Sequence, residues 1–144
     1  MYGLLATYYG GALAAVTKTV QCTVDSSALA EGVASSKASE LAESLWAYLE
    51  FFGDPQTQPI FLGTDNKANM HIANDRASTA RLRHALRRYL TLQERVRDGI
   101  VAVGHVKDAA NPSDFLTKLV PAKKLNESVE YATNYRNVVG GARA

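Results

Sequence analysis

Apolar spacing in this chain switches from two to between three and four at Ser27, and that switch restricts the fold more than any other feature. Before it, Tyr2, Leu4, Ala6 and Tyr8 alternate with other residues, Gly10-Gly11 supply a turn tolerant of positive φ, and residues 12–20 return, the pattern of a β-hairpin. After it, Val33, Ala34, Ala38, Leu41, Leu45, Leu49 and Phe52 recur at helical steps until Gly53-Asp54-Pro55 ends the run. Trp46 is expected to pack beside that stripe as a core anchor. Residues 59–64 read as a buried strand entering a helix near Lys67, which places Asp65 at the strand's carboxyl end. Residues 78–98 form a second long helix, capped at Ser78 or Thr79, with Leu82, Leu86, Tyr89, Leu90 and Val96 inward and Gly99 after it. Residues 100–105 alternate as a last strand, and short helices are expected over residues 113–120 and 123–135. This order implies an α/β fold, a mixed sheet flanked by helices. Residues 1–136 are expected to form one domain and residues 137–144 a flexible C-terminal tail.

At 144 residues the chain is long enough to bury roughly two-thirds of its unfolded surface in one core. A hydrophobic content of 47% with 21% charged residues excludes the disordered class. The single cysteine, Cys22, excludes an intramolecular disulfide and a cysteine-built zinc site; it reads as a small buried hydrophobe in an intracellular, reducing setting, with cytoplasm, nucleus and organelle not separated. The apolar amino terminus has no Lys or Arg ahead of it, which argues against a secretion signal, and no segment reaches the ~20 apolar residues of a membrane span.

Three carboxylates stand out from the 14 acidic residues because of the phrases around them: Glu31 in SSALAE, Asp65 in GTDNKAN and Asp114 in VGHVKDAANPSDFLTK. Each falls where a strand ends or a helix begins, so three acids far apart in sequence are expected to meet at one edge of a sheet, where α/β folds collect ligands. Hard divalent ions take oxygen ligands, and two of them ~3.5–4 Å apart can clamp the attacking and leaving oxygens of a displacement at phosphorus.

The order of SSALAE with its long helix, TDNKANM, ARLRHALRRYLTLQERVRDGIVAVGHV and NPSDFLTK resembles the ribonuclease H domain of copia-type LTR retrotransposon polyproteins, over about residues 2–120. The resemblance implies a ribonuclease H-like fold in which Glu31, Asp65 and Asp114 hold Mg²⁺ or Mn²⁺. It implies that His105 assists product release or proton transfer. The chain departs from the pattern in three places. The family carries a further metal-bridging aspartate on a strand ahead of the hairpin, and this sequence is expected to be truncated before that strand. The phrase ahead of Glu31 is one residue shorter than usual, and Gly32 stands where an aromatic is common. Asp25, the one acid near the hairpin, is more simply a cap for the helix beginning at Ser27.

A second feature points to nucleic acid. Arg76, Arg81, Arg83, Arg87, Arg88, Arg95 and Arg97 crowd one region, with Arg81, Arg88 and Arg95 on one stripe and Arg83 and Arg87 on another, spacing suited to phosphates; the alternative is a solvated outer face. Asn66, Asn69 and Asn111 are candidates for 2′-hydroxyl contacts, His84 reads as structural, and His71 has no assigned role. The favoured reading is a retroelement-derived domain that does not cleave in its truncated form and serves as an RNA-binding or structural subunit of a ribonucleoprotein assembly, such as an organellar ribosome. A protein partner is then expected over the missing-strand position. The alternative is an active two-metal ribonuclease H that hydrolyses the RNA strand of RNA–DNA hybrids, its first aspartate supplied by a missing segment or another chain. A third reading is a protein–protein adaptor whose arginine helix meets an acidic partner.

Overall fold

Turn and cap chemistry sets most of the element boundaries. Tyr9 and Gly10, at φ 48° and 81°, form the two-residue loop between β1 (Tyr2–Tyr8) and β2 (Gly11–Lys18). Both central residues have positive φ, the geometry whose twist matches antiparallel strands. The turn therefore lies one residue earlier than Gly10-Gly11, and Gly11 pairs with Tyr8 instead. Helix α1 (Ser27–Phe51) and helix α3 (Leu86–Arg97) both close in Schellman motifs: Asp54 N–H reaches Leu49 O and Gly53 N–H reaches Glu50 O, while Ile100 N–H reaches Arg95 O and Gly99 N–H reaches Val96 O. Strand β3 (Ile60–Thr64) runs into helix α2 (Lys67–Ala73), whose N-cap Asn66 accepts from Asn69 N–H at 3.1 Å. Strand β4 (Val101–His105), two 3-10 turns (Asp108–Ala110 and Asp114–Leu116) and helix α4 (Ala122–Thr133) complete the order. The computed structural model describes residues 1–20, 27–74 and 86–134. The expected caps Ser78 and Thr79, the inward Leu82, residues Asp25 and Cys22, and the tail lie outside that set.

The α/β class expected from the sequence is present, its strands distributed between two two-stranded sheets, and the chain divides into two compact units. One unit comprises Met1–Thr19 and Lys107–Ala144. Its antiparallel hairpin has a bulge between Ala6 and Thr7, and β1 passes so close to the second 3-10 turn that a methyl on Gly3 would lie 2.7 Å from Leu116 Cβ. Thr17 Oγ1 donates to Leu116 O at 3.0 Å, tying β2 to the same turn. The helix expected over residues 113–120 is a single 3-10 turn. Asn111 Oδ1 accepts from both Ser113 N–H and Ser113 Oγ, an Asx turn that draws the chain away from α-helix, and Pro121 disfavours helix in the residue before it.

The other unit, Val20–Val106, is built on the parallel pair β3–β4, registered from Ile60↔Val101 to Thr64↔His105. Parallel strands need a long crossover, here the segment carrying α2 and α3. Val101 and Val103 are buried with Ala42, Ala73 and Leu92, and Ile60, Leu62, Met70, Val96 and Ile100 pack against them. On α1 the fully buried face is Val33, Ser36, Ser39 and Ala42, every third residue, rather than the leucine-rich stripe the sequence suggested. Small side chains there let α3 approach closely, and Ser39 Oγ satisfies itself on Ser36 O at 2.8 Å. Phe52, expected inward, is 78% exposed because it lies past the end of α1. Leu90, also expected inward, is exposed; the inner face of α3 is Tyr89, Leu92 and Gln93, with Val96 one turn on.

Candidate metal and nucleic-acid site

Within the β3–β4 unit the fold brings two of the three acids together. Asp65 follows the last residue of β3 and precedes the N-cap of α2, so its position is fixed by a strand end and a helix start in immediate succession. Glu31 lies in the second turn of α1. Burial raises its pKa above the usual 4.5, a hydrogen bond with the Asn66 side chain opposes the rise, and the negative charge of Asp65 adds to it. Glu31 Oε2 is buried and has no hydrogen-bond partner among the described residues. A desolvated carboxylate with a spare oxygen beside a second carboxylate is the electrostatic signature of a place that favours a cation. His105, the last residue of β4 and register partner of Thr64, is exposed at the same end of the strand pair from which Asp65 emerges.

Asp114 has a different environment. It opens the second 3-10 turn of the hairpin unit and is 5% exposed. Its Oδ2 is ion-paired by Lys124, from the first turn of α4, and by Lys118 at 3.1 Å. Lys124 also donates to Asp108 O at 2.7 Å, and Lys118 Nζ lies 3.2 Å from Asp108 Oδ1. The hydrogen bond to Asp114 holds the Lys118 ammonium above its ordinary range. Two ammonium groups thus already supply the positive charge that a divalent ion would bring to this carboxylate.

The candidate nucleic-acid residues divide similarly. Arg87 and Arg97 are exposed on α3. Arg88 is half-buried and engaged within the protein. Arg95 is committed: its Nη2 lies 2.7 Å from Glu43 Oε2, its Nε donates to the same oxygen at 2.8 Å, and its Nη1 reaches Ser39 Oγ at 3.2 Å. Arg76, Arg81, Arg83 and His84 lie outside the described residues. The Asn66 side chain is occupied by its cap and by Glu31, and the Asn111 side chain by the turn at Ser113.

Over 137 residues, 94% of its length, the chain is 28% identical to the retrovirus-related Pol polyprotein from transposon TNT 1-94 of Nicotiana tabacum. The chain is retrotransposon-derived. It spans about a tenth of the length of that relative. No family model and no solved structure matches it.

The roles of four residues around these acids escaped sequence reasoning. Lys124 gave no signal, being ten residues from Asp114 and in another element; Lys118, four residues on, was visible as a pair for Asp114 but read only as part of a motif. Asn69 is 1% exposed, donates to Ser35 Oγ at 2.6 Å and reaches Glu31 O at 3.5 Å, so it joins α2 to α1 rather than facing outward. Tyr89 was read as core, which it is, but its ring also fills the space over Gly32, next to Glu31. Burial and the Glu31 charge push its phenol up to about 12, so it stays neutral.

Proposed function

We propose that this chain is a ribonuclease H-like domain of retroelement descent that holds RNA or an RNA–DNA hybrid without cleaving it, as an RNA-binding or structural subunit of a ribonucleoprotein assembly. The observation that carries this reading is the pair of lysines on Asp114, which neutralises the carboxylate the resemblance assigns to the metal centre. Glu31 and Asp65 are the residues that would hold a single Mg²⁺ or Mn²⁺, and Glu31 Oε2, without a partner among the described residues, fits an oxygen-seeking ion. Such an ion supplies charge neutralisation to a phosphate oxygen when bound. The chain's own residues do the rest: the Asn66 side chain orients Glu31, and Arg87 and Arg97 offer exposed positive charge to phosphates.

A second reading, an active two-metal ribonuclease H acting on hybrids, draws support from the Glu31–Asp65 pair and from His105 at the same strand end. Incubation with a labelled RNA–DNA hybrid in Mg²⁺ and in Mn²⁺ separates the two. The first reading expects binding that weakens with salt and an intact RNA strand; divalent-dependent cleavage that disappears in Asp65→Asn establishes the second.

A further inference from the structure

We propose that Tyr89 is a positioning residue for Glu31: its ring, seated in the notch left by Gly32, fixes the turn of α1 that carries Glu31, and the fit of these two residues governs how tightly Glu31 and Asp65 hold a divalent cation. The inference rests on the reading of Glu31 and Asp65 as a cation-holding pair. Tyr89 is fully buried on the inner face of α3. A methyl carbon placed on Gly32 would lie 2.5 Å from Tyr89 Cζ and 2.8 Å from Cε2, and nearer still to the phenolic oxygen. No side chain fits at position 32 while that ring is in place.

The adjacent face of the same turn is held by α2. Asn69 donates to Ser35 Oγ at 2.6 Å and approaches Glu31 O at 3.5 Å, while Asn66, the N-cap of α2, bonds the Glu31 side chain. Asp65 directly precedes that cap, so any shift of α1 relative to α2 changes the separation of the two carboxylates. Tyr89 packs against one face of the turn and Asn69 ties down the adjacent one. The wedge acts one residue from Glu31 and touches no ion itself. Its effect on a cation is therefore indirect, through the placement of Glu31, as with the outer-shell groups that orient metal ligands.

The test is Mn²⁺ affinity of the full chain, measured by calorimetry alongside thermal midpoints, for five proteins besides the wild type. Asp65→Asn comes first: if it leaves Mn²⁺ binding unchanged, the cation-holding reading fails, independently of Tyr89. Given that Asp65→Asn abolishes binding, Gly32→Ala, which drives a methyl into the ring, and Tyr89→Leu, which empties the notch, are each expected to weaken Mn²⁺ by about tenfold or more. The double variant Gly32→Ala/Tyr89→Leu, which exchanges volume across the contact, is expected to recover most of that loss. Leu92→Ala, a cavity on the same helix face away from Gly32, is expected to lower the midpoint while leaving Mn²⁺ affinity within about threefold. Unchanged affinity in Tyr89→Leu, or an equal loss in Leu92→Ala, overturns the inference even if Gly32→Ala does not fold.

Discussion

Glu31 carries the clearest electrostatic tension among the described residues: a carboxylate raised by burial and by Asp65, with one oxygen that accepts no hydrogen bond. The folded protein therefore holds a proton on Glu31 to a higher pH than the unfolded chain, and stability falls as pH rises from about 4.5 through the raised value. Glu31→Gln is expected to unfold at a higher temperature than the wild type at pH 7 and to lose that advantage below pH 4, as followed by thermal melts across the range. Mg²⁺ or Mn²⁺ is expected to raise the wild-type midpoint and leave Glu31→Gln nearly unmoved. Arginines on α3 give a second contrast at this scale. Arg87→Ala and Arg97→Ala are each expected to weaken RNA binding and to reduce the slope of log affinity against log salt by about 0.7–0.9. Arg95→Ala, which removes the ion pair with Glu43 and the hydrogen bond to Ser39 Oγ, is expected to lower stability more than affinity. Sequence spacing grouped Arg95 with its neighbours because it saw position on a helix and not the glutamate waiting on α1.

At the scale of elements, periodicity worked where one face is strongly apolar and failed where small residues pack. The hairpin and β4 alternate and β3 is a short apolar run, so these strands were legible to within about two residues at their ends, and the glycines after α1 and α3 marked both helix ends. On α1 the leucines invited the wrong stripe: closeness of approach, not hydrophobicity, chose Val33, Ser36, Ser39 and Ala42. The segment after β4 reads as helix by composition, yet the Asx turn at Asn111 and the lysines on Asp114 settle it as a 3-10 turn. Leu92 is fully buried at the centre of the β3–β4 core, so Leu92→Ala is expected to cost about 2–5 kcal/mol in denaturant unfolding. Lys124→Ala removes one of two ammonium groups from a buried carboxylate, and a loss of about 1.5–3 kcal/mol is expected, with Asp114 left more open to a divalent ion.

For the whole molecule, ancestry was the most legible property and activity the least. The ordered phrases around Glu31, Asp65 and Asp114 pointed to a retroelement polyprotein, and the likeness to the TNT 1-94 polyprotein agrees at that level. What the phrases did not carry is the company each acid keeps: a spare oxygen beside Asp65 for Glu31, two lysines for Asp114. Apart from Lys118, which the phrase itself holds four residues from Asp114, those surroundings come from other elements, Asp65 for Glu31 and Lys124 for Asp114, which no local motif encodes. The central claim, a nucleic-acid-holding domain that leaves its ligand whole, is tested most directly by following hybrid binding and RNA-strand integrity in one reaction with Mg²⁺ across a salt series. The account predicts affinity that falls steeply with salt and an RNA strand of unchanged length; cleavage that Asp65→Asn removes, or affinity indifferent to salt, contradicts it.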